Sequence, residues 1–412
     1  MFSRRTFLKQ AGATGTIGLA TLGTRPHDLF ACATKTGAAD SDGRILVLVQ
    51  LAGGNDGLNT VVPYENDIYH RQRPSLAFEK GEILRLNGEL GLHPGMTGFK
   101  ELFDEGALGI VQGVGYPNPN RSHFRSMDIW HTAKPDVGDK RDGWLGRAFD
   151  GMARKLSGQV PAMALGTDRL PLSLVSTKFA VPTVQSLKDY QLQLGKGSKD
   201  NRDKQRRRMR KLANVQDKGS SDLDFLRRTA LTALDTSTKI AQVITEYKPA
   251  KPYPENGLGQ QLKSVAQLIT AGLGPRVYFV SLGGFDTHAK QKDAHASLVN
   301  ELSLGLRAFY NDLKAHDLSK RVLTVTFSEF GRRVKENGSL GTDHGVAGPM
   351  FLVGDTLKAG IHGKYPSLSD LDQGDLKHHT DFRRIYATLL EKWLGWPSKP
   401  ALGGNFKTLD LV

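Results

Sequence analysis

Apolar residues along this chain gather into short unbroken runs, and the stretches between them carry a helical repeat. Residues 44–51, Arg-Ile-Leu-Val-Leu-Val-Gln-Leu, are nearly all apolar and rich in β-branched side chains. That is the pattern of a strand covered on both faces of a parallel sheet. Similar runs at 108–114, 276–282, 321–327 and 349–354 predict further strands. Met96, Phe99, Leu102 and Phe103 fall on one side of a helix over 95–105. Leu258, Leu262, Val265 and Ile269 mark a second helix, and Leu298, Leu302, Leu306, Phe309 and Leu313 mark a third over 294–315. A helix over 381–394 closes the chain. Strands alternating with helices predict an α/β fold with a largely parallel sheet. Residues 134–255 break this rhythm. Strand fragments at 161–166 and 172–175 and a helix over 223–247 read as an insertion or cap on one domain spanning 34–412.

The start of the chain has a different pattern. Arg4-Arg5 precede Phe7-Leu8-Lys9, a short and mildly apolar run follows, and Ala31-Cys32-Ala33 supply small residues. This predicts a signal peptide over 1–33 of the twin-arginine (Tat) type, which exports proteins already folded, and so a periplasmic or extracellular destination. Leu29-Phe30-Ala31-Cys32 also has a weak lipobox pattern, which makes a lipid anchor at Cys32 the second option. Cys32 is the only cysteine in the sequence, so an intramolecular disulfide, a thiolate metal site and a cysteine nucleophile are excluded. The net charge of +14 is uneven. Between Lys188 and Lys218 eleven Lys/Arg face four Asp/Glu, centred on Arg206-Arg207-Arg208-Met209-Arg210-Lys211. The stretch reads as a solvated helical surface or as a contact for an anionic surface. No aromatic residues interleave with these arginines, so nucleic acid is not the expected partner.

The candidate chemistry lies where predicted strands end. Asp56 follows the first strand in Gly53-Gly54-Asn55-Asp56-Gly57. Asp286 and His288 follow the 276–282 strand, and Asp343-His344 lies between Gly341 and Gly345 after the 321–327 strand. Carboxyl ends of parallel strands share one edge of a sheet, where open α/β folds place ligands. Carboxylates crowded there repel unless a cation sits among them. A mixed Asp and His donor set suits zinc or manganese better than magnesium or calcium. Ser122, before a helix expected near Phe124, is either a plain N-cap or a nucleophile at the positive end of the helix dipole. His123 competes with it as a site residue.

Arg121-Ser-His-Phe, Gly284-Phe-Asp-Thr-His288, Ser328-Glu-Phe-Gly-Arg332 and Gly341-Thr-Asp-His-Gly345 resemble the Tat-exported bacterial family called domain of unknown function 1501. That family is placed near the alkaline phosphatase and sulfatase superfamily. The resemblance implies an alkaline-phosphatase-like three-layer fold, with a mostly parallel central sheet between helices. It implies an exported metal-dependent hydrolase of phosphate or sulfate esters; the alternative is a non-catalytic, metal-retaining binding or secretion-associated protein. It further implies one or two divalent ions, zinc first, with manganese or calcium as alternatives. Asp56, Asp343 and His344 would hold one ion beside Ser122. Asp286 and His288 would hold the other with a further histidine: His378, His379 or His362. Arg121, Glu329 and Arg332 would orient the anionic ester. Two departures stand out. Asp286 and His288 are one residue apart where the phosphatases have three between them, and Ser122 lacks the ordered Pro and Arg of the sulfatase motif.

Overall fold

The chain is seen in a computed structural model, which describes residues 43–135, 142–156, 159–187, 246–272 and 274–412, with Lys204, Arg207 and Arg208 besides. The expected signal peptide with Cys32, the basic stretch apart from those three residues, and nearly all of the helix expected over 223–247 lie outside the described residues.

Residues Ile45 to Leu51 of β1 (Ile45–Ala52) are all buried, as a strand covered on both faces requires. Val47, Val49 and Leu51 enter one core and Leu46 and Leu48 the other. The first core is built with α1 (Thr97–Asp104), α4 (Gly257–Thr270) and α5 (Gln291–Ala315). The second is built with α2 (His123–Thr132), α3 (Trp144–Gly151) and α6 (Phe382–Thr388). The result is three layers: helices, sheet, helices.

The other strands of the central sheet are β2 (Leu108–Gly115), β3 (Ala162–Leu165), β4 (Thr183–Val184), β5 (Val277–Gly283), β6 (Val322–Phe327), β9 (Gly348–Val353), β10 (Gly360–His362) and β11 (Thr380–Asp381). A separate antiparallel hairpin, β7 (Arg332–Glu336) and β8 (Thr342–His344), follows β6. The nine-stranded sheet runs β10-β2-β9-β6-β1-β5-β3-β4, with β11 also on β2. Only β9 runs against its neighbours; the rest are parallel. The mostly parallel three-layer sandwich expected from the sequence is therefore the observed fold.

Three details differ from expectation. The sheet continues through β3 and β4 into the segment read as an insertion. Residues 172–175 are not a strand: after Pro171 the backbone closes on itself, Leu174 N donating to Pro171 O at 2.9 Å, and forms a 3₁₀ turn over Leu172–Leu174. The last helix is split, α6 passing into a π-helical stretch over Leu389–Leu394 that Gly395 ends with a φ of 70°. Among the described residues no helix is long and apolar enough to cross a membrane.

The parallel register fixes where the loops go. Ala52 of β1 pairs with Gly283 of β5, and Gln50 with Phe327 of β6. The loops after β1, β5 and β6 thus leave the same edge, and β2 sends the loop to α2 from that edge too.

A candidate metal centre at the carboxyl edge of the sheet

Gly53 has a φ of 122°, and a Cβ there would lie 2.3 Å from the Asp286 backbone nitrogen. Glycine lets the loops after β1 and β5 touch, and this brings Asp286 to the middle of the edge. Arg332, buried at the start of β7, then ties the loops together. It donates to the carbonyls of Gly54 at 2.8 Å, Thr342 at 2.7 Å and Phe285 at 2.9 Å, and to Asp286 Oδ1 at 2.7 Å.

Three imidazoles surround the Asp286 carboxylate. His288 Nε2 lies 3.0 Å and His344 Nε2 3.1 Å from Oδ1, and His123 Nε2 lies 3.3 Å from Oδ2. His288 Nε2 and His344 Nε2 are 2.9 Å apart. Atoms of His123, Asp286 and His344 fall within 4.8 Å of one another, a group able to hold a metal ion. The outer nitrogens are all engaged. His344 Nδ1 meets the Arg121 carbonyl at 2.7 Å, His123 Nδ1 meets Glu329 Oε1 at 2.9 Å, and His288 Nδ1 lies 3.4 Å from Asp343 Oδ1. Each of those partners is an acceptor, as is Asp286, so a neutral ring that donates through Nδ1 turns its Nε2 lone pair toward the carboxylate, and one that donates through Nε2 hydrogen-bonds it. In the first tautomer lone pairs converge on a carboxylate. His123 Nε2 is buried and without a hydrogen-bond partner despite its closeness to Asp286.

Two groups of the cluster are displaced from their usual values. Burial holds His344 below the usual imidazole value, and nearby Arg332 adds to this against the pull of Asp286. For Asp286, burial would raise the carboxyl, but hydrogen bonds from Arg332 and His344 outweigh it and bring it down to about 2. Phe330 packs its ring against His123 and His344, with centroids 4.9 and 4.5 Å away, and gives the cluster an apolar floor.

The sequence-derived residues divide at this edge. Asp286, His288, His344 and His123 converge. Asp343 stands one step back against His288 Nδ1 and also accepts from Asn337 Nδ2 at 3.1 Å. Asp56 is elsewhere and fully buried. It pairs with Arg73 at 2.6 Å, accepts from Gln291 Nε2, and caps a short helix through Leu58 N at 3.2 Å. Burial alone would raise its carboxyl; Arg73, His295 and Gln291 bring it below the ordinary value. Glu329 and Arg332, read as substrate-orienting, both face inward, for the loop after β6 turns under the cluster. Glu329 is 1 % exposed and holds His123 and the Gly53 amide. Arg121 puts its guanidinium on buried Asp375, which Arg333 also faces. Ser122 is the exposed N-cap of α2, and its side chain makes no capping hydrogen bond.

His378 is half-buried against Gly115, where an added Cβ would meet its own Cβ at 2.8 Å. His362 Nε2 meets the Lys358 carbonyl at 2.6 Å, and His379 is held by its backbone to Gly113. Among the described residues none of the three hydrogen-bonds to the cluster. Sequence reasoning missed Arg73, Gln291 and His295 altogether; none of them stands beside a glycine or at a strand end.

The chain belongs to the family described as protein of unknown function (DUF1501), whose model matches residues 107–394. No curated protein matches it. Among solved structures it is similar to Ps i-CgsB in complex with k-i-k-neocarrahexaose, at 11 % identity over 89 % of this chain and 75 % of that one, with a TM-score of 0.39. It is also similar to the PsFucS1 sulfatase from Pseudoalteromonas sp., at 12 % identity over 94 % and 75 % of the two chains and a TM-score of 0.36. A protein in the alkaline phosphatase superfamily from Vibrio parahaemolyticus matches at 9 % identity over 84 % and 72 %, with a TM-score of 0.32. Scores this low carry no residue roles across.

Proposed function

We propose that this member of the DUF1501 family is an exported, zinc-dependent hydrolase of phosphate or sulfate esters, with one ion held by His123, Asp286, His288 and His344. The observation that carries the reading is the 2.9 Å gap between His288 Nε2 and His344 Nε2 beside Asp286 Oδ1. With both rings donating through Nδ1, lone pairs that close repel strongly unless a cation lies between them. Zinc bonds of about 2.0–2.1 Å to nitrogen and oxygen in a tetrahedron put donor atoms roughly 3.3 Å apart, near the separations found here. Three imidazoles with one carboxylate form a donor set for zinc rather than for magnesium or calcium.

When bound, the ion supplies Lewis-acid chemistry, polarising an ester oxygen and screening its charge. The chain's own residues do the rest. Glu329, Asp343 and the Arg121 carbonyl fix the three rings in one tautomer. The start of α2 offers free backbone amides to an anion. Ser122, between Arg121 and His123 with an uncommitted hydroxyl, is the candidate nucleophile. Asp56 takes no part, since it is fully buried with donors from Arg73, Gln291 and Leu58 on its oxygens, so one ion suffices rather than two.

The occupation of Asp56 by Arg73 also favours a second reading, a metal-retaining binding protein with a reduced centre. Metal analysis of the purified chain, with turnover of aryl phosphates and aryl sulfates, separates the two. The hydrolase reading expects about one zinc per chain, lost in Asp286→Ala and His344→Ala, and turnover lost in those variants and in Ser122→Ala. Stable protein without metal overturns the centre. Stoichiometric zinc with no turnover of either ester class leaves the binding protein.

A further inference from the structure

Beside His123 from the start of α2, two segments supply the cluster: 284–288 after β5 brings Asp286 and His288, and β8 brings His344 with Asp343 beside it. Their separation decides whether the imidazoles meet. Gln291, the first residue of α5, is fully buried and lies beneath both. Its Oε1 accepts from Thr287 Oγ1 at 3.1 Å and from Thr342 Oγ1 at 2.6 Å. Thr287 stands between Asp286 and His288, and Thr342 immediately precedes Asp343 and His344. One amide oxygen, with its two lone pairs, therefore holds both loops. Its Nε2 donates to Asp56, whose charge Arg73 balances.

We infer that Gln291 is the positioning residue of the centre: a buried amide clamp, oriented by the Asp56–Arg73 pair, that sets the distance between the Asp286/His288 loop and the Asp343/His344 loop. The inference rests on the metal centre proposed above. Three facts support a fixed orientation. The amide must donate to Asp56, because a carboxylate only accepts, so its oxygen is left for the two hydroxyls. The Gln291 backbone N–H reaches the Leu340 carbonyl at 2.8 Å, and Thr342 N reaches the Thr287 carbonyl at 3.2 Å, so backbone and side chain clamp the same pair of loops. Gly341 is packed so tightly on the other loop that a Cβ would lie 2.3 Å from the His288 carbonyl carbon. The clamp also accounts for Asp56, a carboxylate at the sheet edge outside the cluster: it holds the amide in one of its two flip states.

The test uses the full-length protein. Zinc affinity is measured by competition for the parent, Gln291→Met, Thr342→Val and Thr342→Ser, with Gln267→Met, a buried glutamine in α4, as the control for loss of a buried amide. Gln291→Met and Thr342→Val are expected to weaken zinc about 10- to 100-fold, as outer partners of metal ligands do. Thr342→Ser and Gln267→Met are expected to keep the parent affinity. In parallel, ¹⁵N shifts of the histidine rings are read in metal-free protein. In Gln291→Met, His288 and His344 are expected to move toward free-histidine values while buried His131 stays put. Parent-like affinity and unmoved rings in Gln291→Met overturn the clamp even if the parent holds zinc. If the parent binds no zinc, the centre falls, and the ring shifts alone decide the clamp.

Discussion

Asp56 and Asp286 end neighbouring parallel strands on the same edge of the sheet, yet they meet opposite environments. Asp56 is fully buried, and N–H donors from Arg73, Gln291 and Leu58 fill its oxygens. The side chain of Asp286 is 48 % exposed; Arg332 and the imidazoles of His288 and His344 share Oδ1, while His123 faces Oδ2. Both carboxylates meet a cation of the chain, Arg73 on Asp56 and Arg332 on Asp286. A site closed to water has to receive it from the chain itself, since an unpaired buried charge costs several kcal/mol. A site open to water can receive a further one from solution. Burial thus decides which of two similar-looking motifs is architecture and which is a candidate centre. The buried side should govern whether the fold survives, and the open side whether a metal is held.

Acid separates the two sides most strongly. Burial keeps His295 and His131 neutral, down to about 4, and His93 down to about 3. In the unfolded chain these rings titrate near 6.5. Their folded values are depressed, so the stability they allow is fully present above about 6.5 and is lost as pH falls toward 4. Over that window the unfolded state binds up to three more protons, a slope of about 4 kcal/mol per pH unit once the unfolded rings are charged. Two such units rival the whole stability of a domain. Equilibrium unfolding between pH 7 and 4 should show this slope in the parent and most of it in metal-free His344→Ala, which loses one depressed imidazole and keeps the three buried ones. A slope that collapses in His344→Ala would place the acid sensitivity in the open cluster and erase the contrast.

Next in size is Arg73→Met. It leaves Asp56 buried and without its cation, which should cost about 3–5 kcal/mol in denaturant unfolding. Adding Asp56→Asn to Arg73→Met removes the stranded charge and should recover a large part of the loss. If Arg73→Met is nearly neutral while zinc content per chain rises, Asp56 is a suppressed metal ligand rather than a structural one.

Much of this was legible in the sequence, for identifiable reasons. β1 and β6 are buried on both faces and so leave unbroken apolar runs. Gly53 and Gly341 stand where loops touch, and such glycines flank the acids they bring together. What could not be read is the direction a side chain takes once the loop turns. Glu329 and Arg332 look like surface charges suited to an anionic substrate, but the loop after β6 folds under the cluster and buries both. Nothing near Arg73 marks it as the partner of an aspartate seventeen residues earlier, because that meeting depends on β7, whose Val334 carbonyl receives Arg73 Nε at 2.9 Å. His123 was visible only as a rival of Ser122, since its partner Glu329 is two hundred residues away.

The smallest effects test the outer partners of the rings, and they grade by burial as well. Glu329 is 1 % exposed, 2.9 Å from His123 Nδ1, and also fixed by the Gly53 amide at 2.8 Å. The side chain of Asp343 is 55 % exposed and 3.4 Å from His288 Nδ1; an Asn337 hydrogen bond first, and His288 with it, keep its carboxyl below the usual value. Outer partners of metal-bound histidines typically contribute 10- to 100-fold in affinity. Glu329→Gln should therefore fall near the upper figure and Asp343→Asn near the lower one, because a solvated carboxylate at that distance orients a ring only weakly. Zinc competition on both variants measures the ratio. A complete loss of zinc in Asp343→Asn would mean that His288 turns and Asp343 itself enters the centre. The open side of the edge would then use the adjacent Asp343 and His344 as a ligand pair.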